Sequence, residues 1–319
     1  PLHKTSNIDL KFVSDMPVLK SAEERKQLEE VDYTWAQKGT LDDTLLARDD
    51  VKRAIENHEH VKVETPIVNT DRAIPSRVHG QVALAHGNSG WKGSLHLVFH
   101  GCAGQSFGFS CLPGMDLEVR GEANDYAGKS MHGGRIRVRP VDGPIGFTPS
   151  ESSIVGNTCL YGATGGRFFA NGQAGMRFCV RNSNAEAVVE GTGDHCCEYM
   201  TGGVVVVIGA CGRNIGAGQT GGWGYFLEDE SCGPGYSVAA RLNSDVKMQP
   251  VNAVGAKQLK ELLEAHVEAT ESEKAKAILA DFDNYLPKFV HVYPSSEAGE
   301  PEVSGVEKAA VADGELVSA

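Results

Sequence analysis

The first stretch of the chain, residues 1–60, spaces its apolar residues as helices do. Within residues 40–58 they fall close to one helical stripe, made of Leu41, Leu45, Val51 and Ile55. Ser21 and Glu24 stand at capping-box spacing, which predicts the start of an earlier helix. We therefore expect an N-terminal helical segment over residues 1–60.

Helical spacing is absent from residues 61–250, where short apolar runs are separated by glycines. Double glycines recur, each followed by a strand-like run: Gly133-Gly134 by RIRVRP, Gly165-Gly166 by RFFANG, Gly202-Gly203 by VVVVIG and Gly221-Gly222 by WGYFLED. Further strands are predicted at 115–121, 157–162, 176–182 and 187–191. The strand starts at 115, 135, 157, 176, 187, 204 and 223 are separated by 20, 22, 19, 11, 17 and 19 residues. This spacing predicts a β-solenoid with about 20 residues per coil.

Helical spacing returns after residue 250. One helix is predicted over 256–268, and a second, capped by Thr270 and Glu273, carries Ile278 and Leu279. FVHVYP is strand-like, and the acidic remainder predicts disorder because it cannot bury enough apolar area to offset its ordering entropy. The pattern divides the chain into an N-terminal helical segment (1–60), a glycine-rich β-helix (61–250), C-terminal helices with a terminal strand (251–294) and a disordered tail (295–319).

Charge and composition narrow the range of partners. A net charge of −12 and an isoelectric point near 5.4 argue against nucleic-acid binding, because phosphate contacts need concentrated Lys and Arg. No long apolar run is present, and the first residues lack the apolar core of a signal peptide. The eight Cys residues form no C-x-x-C pair, which indicates buried thiols in a reducing compartment. We expect an intracellular protein without nucleic-acid or membrane partners.

Gly216, Gly218 and Gly221 have the spacing G-x-G-x-x-G and follow the apolar run VVVVIG. One hypothesis is a dinucleotide turn, which would make the chain an independent NAD-linked oxidoreductase. That turn must open a helix, whereas WGYFLEDESCGPGYSV reads as strand and turn. We favour the other hypothesis, in which these glycines and Gly222 form coil corners, where the backbone needs positive φ or close stacking.

Two further stretches admit a functional and a structural interpretation. GDHCCEYM gathers side chains that could form a metal or thiol site, namely Asp194, His195, Cys196, Cys197 and Glu198. Neighbours in extended chain point to opposite faces, so a structural turn is favoured. Arg135, Arg137 and Arg139 share one strand face and form a basic stripe. The stripe either pairs with carboxylates of a neighbouring domain or lies in solvent.

Other enzyme classes find little support in the sequence. GNSGWKG (87–93) reads as an exposed turn, and neither a Ser/His/Asp set nor a carboxylate pair stands out. A secreted carbohydrate-active β-helix is disfavoured because a signal peptide and clustered carboxylates are both missing from the pattern.

Six long motifs resemble the C-terminal domain of the glutamate synthase large chain. They are IVNTDRAI (67–74), GCAGQSFG (101–108), GEANDYAGKSMHGG (121–134), GNTCLYGATGG (156–166), FCVRNSNAEAVVEGTGDHCCEYMTGG (178–203) and GRNIGAGQTGG (212–222). The likeness continues through residues 259–282 and covers roughly residues 40–294. It implies a mainly β fold, a right-handed single-stranded β-helix with flanking α-helices.

The resemblance also implies a role in making two glutamates from glutamine and 2-oxoglutarate. The family's chemistry belongs to an amidotransferase domain with a nucleophilic Cys and to a synthase domain that binds FMN and an iron–sulfur cluster. We therefore expect no catalytic, cofactor-binding or metal residue here, and a bracing role with those two domains as partners. Cytoplasm and plastid both remain open, as do ferredoxin, NADPH and NADH as electron donors.

Overall fold

The computed structural model describes residues 39–141 and 147–306, together with Asp9, Lys11 and Asp15. The strands are β1 (His60–Ile67), β2 (Ser94–Ala103), β3 (Met115–Ala123), β4 (Arg135–Arg139), β5 (Ser153–Val155), β6 (Arg167–Ala174), β7 (Glu186–Thr192), β8 (Thr201–Val207), β9 (Gly221–Leu227), β10 (Val246–Pro250) and β11 (Phe289–Pro294). The helices are α1 (Leu41–Ala47), α2 (Asp49–Asn57), α3 (Ser76–His86), α4 (Ala253–Thr270), α5 (Glu273–Ala280), α6 (Phe282–Tyr285) and α7 (Pro301–Ser304). All of them belong to the compact unit that starts at Gly39. None of these helices is both long and apolar enough to cross a membrane.

Strands β1 to β4 and β6 to β9 stack in parallel, in that order, and form a β-solenoid of about six turns. The register pairs Leu95 with Met115, Asp116 with Arg135, Arg135 with Arg167, Arg167 with Glu186, Glu186 with Val204, and Val204 with Trp223. Subtracting the paired numbers gives steps of 20, 19, 32, 19, 18 and 19 residues. The long step contains β5. The predicted solenoid and its period are confirmed.

The parallel register aligns the same face of every strand, so each coil adds one side chain to an interior column. The column consists of Leu117, Ile136, Phe168, Ala187 and Val205, all buried. From β6 onward the outward side chains are apolar as well, and they pack under α4 and α5. This second cluster includes Phe169, Val188, Val206, Leu259, Leu263 and Ile278. The fold therefore has two apolar layers, one inside the solenoid and one beneath the C-terminal helices.

Two predicted strands, 157–162 and 176–182, are turns in the structure. The φ angle is +61° at Thr158 and +60° at Leu160, and it is +59° at Arg177. A β-strand requires negative φ, so these segments cannot be strands. They form a different side of each coil.

The front of the described chain confirms the helical stripe. Leu45, Val51 and Ile55 are buried on α1 and α2. Helix α1 begins after Thr40, whose side chain forms a capping box with Asp43. The helix predicted from the capping box at residues 21–24 lies outside the described residues.

Helix α3 lies in the zone for which only strands are predicted. Its buried residues are only Val78, His79 and Val82, which is too narrow a stripe to stand out in the sequence. The turn at residues 87–93 is not wholly exposed either. Trp91 is 5% exposed, and its indole N–H donates to the carbonyl oxygen of Ala54 over 3.1 Å. The indole ring thus anchors this turn to α2.

Helix α4 contains the predicted helix 256–268 and extends it at both ends. The predicted Thr270 cap of α5 is wrong. Ser272 caps α5, because its Oγ accepts a hydrogen bond from the Ala275 N–H at 3.1 Å. Thr270 instead ends α4, where its hydroxyl donates to the carbonyl oxygen of His266 at 2.7 Å.

The last strand, β11, confirms the prediction for residues 289–294 and pairs antiparallel with β9 and β10. Beyond it, the start of the segment predicted to be disordered is helical, at Ser295–Glu297 and again in α7. Glu297 attaches this segment to the solenoid, because its carboxylate accepts a hydrogen bond from the Gly222 N–H at 2.9 Å. Residues 307–319 lie outside the described residues.

Candidate functional site

One side of each coil is a short segment with left-handed backbone at every second residue. The triplets are Ser106, Gly108 and Ser110; Tyr126, Gly128 and Ser130; Thr158, Leu160 and Gly162; Arg177, Cys179 and Arg181; His195, Cys197 and Tyr199; and Asn214, Gly216 and Gly218. Their φ angles all lie between +54° and +72°. We call this side of the solenoid, formed by these triplets, the left-handed ladder.

Backbone hydrogen bonds join the left-handed ladder in both directions along the solenoid. The first and third N–H of a triplet donate to the next coil, as from Ser106 to the Asp125 carbonyl at 2.8 Å. The middle N–H donates to the preceding coil, as from Gly128 to the Phe107 carbonyl at 2.8 Å. The backbone polar groups that would otherwise be buried without partners are therefore satisfied between coils.

The middle position of each triplet faces the apolar interior. Leu160 and Cys179 are 0% exposed and fill that space with their own side chains. At Gly108 an added Cβ would overlap the Ile136 side chain, and at Gly128 it would lie 3.0 Å from Leu160. Left-handed backbone costs a residue other than glycine about 1–2 kcal/mol. Glycine therefore stands where a neighbour already occupies the interior.

A family model described as "GXGXG motif" matches residues 42–295. The chain belongs to the GXGXG family. The spacing in that description has the same period of two as the left-handed ladder, and Gly216 and Gly218 keep glycine at two consecutive left-handed positions.

Curated relatives of this GXGXG domain are glutamate synthases. The chain is 47% identical over 310 residues to "Ferredoxin-dependent glutamate synthase, chloroplastic" of Spinacia oleracea, covering 96% of this chain and 18% of that protein. It is 51% identical over 308 residues to "Ferredoxin-dependent glutamate synthase 1, chloroplastic/mitochondrial" of Arabidopsis thaliana, covering 95% and 18%. A Synechocystis enzyme, "Ferredoxin-dependent glutamate synthase 2", is 47% identical over 307 residues, covering 95% and 19%. The resemblance inferred from the motifs is confirmed, and the chain spans less than a fifth of the length of these relatives.

Gly216, Gly218 and Gly221 of the GXGXG domain are packed coil residues. A Cβ on Gly218 would overlap the Tyr199 ring, and one on Gly221 would overlap the carbonyl oxygen of Thr201. Gly221 opens β9 and not a helix. The backbone therefore lacks the helix N-terminus on which a dinucleotide pyrophosphate would rest, and the NAD-linked hypothesis loses its structural basis.

The side chains of GDHCCEYM point in opposite directions. The carboxylates pair outward with neighbouring coils, Asp194 with Arg213 at 3.1 Å and Glu198 with Arg177 at 2.6 Å. Cys196 and Cys197 lie in the interior, with their sulfur atoms 3.6 Å apart. Within the described residues, no group of three or more His, Cys, Asp or Glu could hold a metal ion. The geometry favours a structural turn.

The interior cysteines and the corner glycines both have closely packed surroundings. Burial raises the pKa of Cys159 to about 12 and raises that of Cys179 well above its usual value. Both thiols are buried in the interior, on successive coils of the solenoid. The glycines at 218 and 221 offer no open cradle to an FMN phosphate, because the preceding coil fills the space beside them.

The arginine stripe of β4 is paired within the chain. Arg135 donates two hydrogen bonds to Asp116 on β3, at 3.1 and 3.0 Å, and a third to Glu268 on α4 at 2.9 Å. The bonds to Asp116 raise the pKa of Arg135 above its usual value. Arg137 and Arg139 also face carboxylates of β3. The stripe therefore neither awaits carboxylates of another domain nor lies unpaired in solvent. Its arginines bind β4 to β3 and to α4.

Glu118 is the centre of this ionic cluster and is 4% exposed. It accepts from the Nε atoms of Arg120 at 2.7 Å and Arg139 at 3.1 Å, and it lies 3.2 Å from a terminal nitrogen of Arg137. Burial alone would raise the pKa of Glu118, but the three guanidinium groups outweigh it and lower the pKa to about 2. At pH values above the ordinary pKa of a glutamate, the Glu118 carboxylate therefore stabilises the folded chain. This contribution is lost as the pH falls towards 2.

Glu118→Gln should lower the free energy of unfolding at pH 7 by about 2 kcal/mol, because hydrogen bonds to charged groups are lost beside buried arginines. Urea unfolding followed by circular dichroism measures this. Glu186→Gln is the matched control, since Glu186 pairs with Arg167 at 2.8 Å but the two side chains are 31% and 54% exposed. The control should cost less than about 1 kcal/mol. An equal loss of unfolding free energy in the two variants would show that the buried cluster stabilises the fold no more than an exposed ion pair does.

A second buried acid, Glu190 of β7, connects the solenoid to the C-terminal helices. The Ser272 hydroxyl donates to its Oε1 at 2.5 Å, and the His266 Nε2 lies 3.4 Å from the same oxygen. All three residues are 0% exposed. In a Ser–His–acid relay the histidine lies between the serine and the acid. Here the Ser272 hydroxyl and the His266 ring both contact Glu190, so the three residues do not form such a relay. The arrangement is a tether that holds α4 and α5 on the solenoid.

Proposed function

We propose that this chain is the bracing and docking domain of a glutamate synthase and performs no chemistry of its own. One observation carries the proposal: the buried carboxylates Glu118 and Glu190 are both used in contacts that hold the fold together. Glu118 is surrounded by arginines, Glu190 is the helix tether, and burial raises the pKa of the interior thiol of Cys159. The chain also spans only 18% of the spinach relative, so most of such an enzyme lies elsewhere.

In this proposal the partners are the amidotransferase domain and the FMN-binding synthase domain of the parent enzyme. Those domains hold FMN and the iron–sulfur cluster and convert glutamine and 2-oxoglutarate into two glutamates. The relatives are named ferredoxin-dependent, which supports ferredoxin as the electron donor. The chloroplastic names of the plant relatives favour a plastid over the cytoplasm as the compartment.

The chain purified alone should show no flavin absorbance and no glutamate synthase turnover with glutamine, 2-oxoglutarate and reduced ferredoxin. The full-length enzyme, assayed in parallel, is the positive control. Bound flavin or turnover in the isolated chain would refute the absence of chemistry.

Bracing itself can be tested in the full-length enzyme with Gly203→Ala. A Cβ there would lie 2.7 Å from the Asn182 Nδ2, at a φ of +89°. We expect the temperature of heat inactivation to fall while kcat at 25 °C stays unchanged, because a brace acts on the stability of the catalytic domains. A lower kcat at 25 °C with unchanged heat inactivation would contradict the bracing role.

A further inference from the structure

The outer surface of the left-handed ladder carries stacked rings and cations from four coils. The Lys129 Nζ lies 5.5 Å from the Tyr126 ring centre and 5.7 Å from that of Tyr161. The Arg181 guanidinium carbon lies 5.9 Å from the ring centres of both Tyr161 and Tyr199. We call these five residues, Tyr126, Lys129, Tyr161, Arg181 and Tyr199, the tyrosine column. Each cation lies at cation–π distance from at least two rings, and Lys129 is also 5.9 Å from the Phe109 ring centre.

The two cations of the tyrosine column differ from the cations beside them. Arg177 and Arg213 pair with carboxylates of neighbouring coils. Within residues 39–141 and 147–306, Lys129 and Arg181 contact aromatic rings and have no ion pair with a carboxylate. In a chain of net charge −12, these two cations keep hydrogen-bond donors that no carboxylate of the described residues pairs with.

The backbone holds the tyrosine column in place at a cost. Tyr126, Arg181 and Tyr199 have φ angles of +64°, +55° and +54°, which residues other than glycine rarely adopt. Gly218 leaves the space that the Tyr199 ring fills. Because the left-handed ladder is hydrogen-bonded to the coils on both sides, these side chains are presented on a rigid surface. Such preorganisation reduces the entropy lost when a partner binds.

The composition and exposure of the surface are those of a protein interface. Tyr126 is 38% exposed and Tyr199 is 52% exposed, and Met176, one residue before the left-handed triplet of its coil, is 54% exposed. Tyr, Arg and Met are enriched in interface cores, and Tyr and Arg are frequent hot spots. A guanidinium stacked on rings still offers its edge to a carboxylate, which it can bind with two hydrogen bonds.

We propose that the tyrosine column is the surface on which this domain docks the remainder of the synthase polypeptide, which meets it with carboxylates. This inference rests on the proposed function. Two observations identify the docked partner. Lys129 and Arg181 lack ion pairs with described carboxylates, and this chain spans only 18% of the spinach relative, so most of such a polypeptide lies outside it. The aromatic rings supply the apolar contact area, and Lys129 and Arg181 select acidic side chains opposite them.

Hydroxyl-radical footprinting with mass spectrometry tests the surface, by comparing the isolated chain with the full-length enzyme. Labelling of Tyr126, Tyr199 and Met176 should fall several-fold in the full-length enzyme, because a docked partner excludes water. Met248, 41% exposed on β10, is the matched control and should label equally in both. Protection of Met248 with the column still labelled would leave the docking function standing and overturn this surface. Protection of neither would overturn this surface, whereas the bracing role is decided separately by the heat inactivation of Gly203→Ala.

Charge reversal at Arg181 provides the second arm. In the full-length enzyme, Arg181→Glu should restore labelling of Tyr126 and Met176 to the level of the isolated chain, whereas Arg181→Lys should keep them protected. Thermal unfolding of the isolated variants controls for folding, since both substitutions place a side chain in the same left-handed backbone. Unchanged protection in Arg181→Glu would overturn the proposal. Column protection in the isolated wild-type chain that disappears on dilution would do the same, by identifying a second copy as the occupant.

Discussion

The Gly222→Ala chain should unfold with a free energy about 3 kcal/mol below that of the wild type, whereas Gly162→Ala should lose only about 1 kcal/mol. Both glycines are left-handed, with φ angles of +68° and +62°. A Cβ at Gly222 would lie 2.6 Å from backbone atoms of Gly202 and Gly203, while at Gly162 nothing lies within 4 Å. The two variants thus share backbone strain and differ in the collision with the preceding coil.

Urea unfolding of the two variants, followed by circular dichroism, measures this difference. The corresponding Tm values should be roughly 4–8 °C apart. Equal losses of unfolding free energy would show that backbone strain alone accounts for the need for glycine at position 222. The preceding coil would then accommodate the added Cβ without loss of stability.

Acid should destabilise the fold through two buried histidines, His79 and His291, which are 2% and 0% exposed. Burial lowers the pKa of each from its ordinary value of 6.5 to about 4. Both are therefore neutral in the folded chain at neutral pH. As the pH falls below 6.5 the unfolded chain binds protons that the folded chain cannot, so stability decreases until the pH reaches about 4. Each histidine accounts for a loss of about 3 kcal/mol.

The variant His291→Phe isolates one of these contributions. Among the described residues, neither ring nitrogen of His291 has a hydrogen-bond partner, and its ring lies 4.8 Å from that of Tyr225 and 5.6 Å from that of Tyr293. A phenyl ring fits this aromatic surrounding without an unsatisfied polar atom, so stability at pH 7 should be kept or raised. Between pH 6.5 and 4 the variant should lose about 3 kcal/mol less than the wild type.

Unfolding free energies across this pH range, from urea titrations, provide the test. The wild type, measured in parallel at each pH, is the reference. An acid loss in His291→Phe equal to that of the wild type would place the titration elsewhere.

The solenoid was predictable because its corners are marked by glycine. The second residue of each double glycine, Gly134, Gly166, Gly203 and Gly222, has positive φ in the structure. The period of the solenoid also predicts which residues on neighbouring coils lie side by side. Asp116 precedes Arg135 by 19 residues, about one coil, and the two are register partners. The partner of the arginine stripe was therefore visible in the spacing.

The left-handed ladder could not be predicted in the same way. In these segments the buried residues come in adjacent pairs, such as Cys159 and Leu160, and this pattern has neither the period of a strand nor that of a helix. The segment NTCLYG is predicted to be a strand, although Thr158 and Leu160 are left-handed. Most first and third positions of the triplets are not glycine, so the usual marker of positive φ is missing. Contacts between coils impose this backbone, and such contacts are not local in the sequence.

The buried cysteines are distributed along the axis of the solenoid, and Cys111, Cys159, Cys179, Cys197 and Cys211 belong to different positions along it. A thiol-reactive probe can reach each of them only when that part of the stack opens. The order in which they become alkylated would report whether the stack unzips from one end or separates in the middle. The chain therefore contains a natural series of reporters for the direction of its own unfolding.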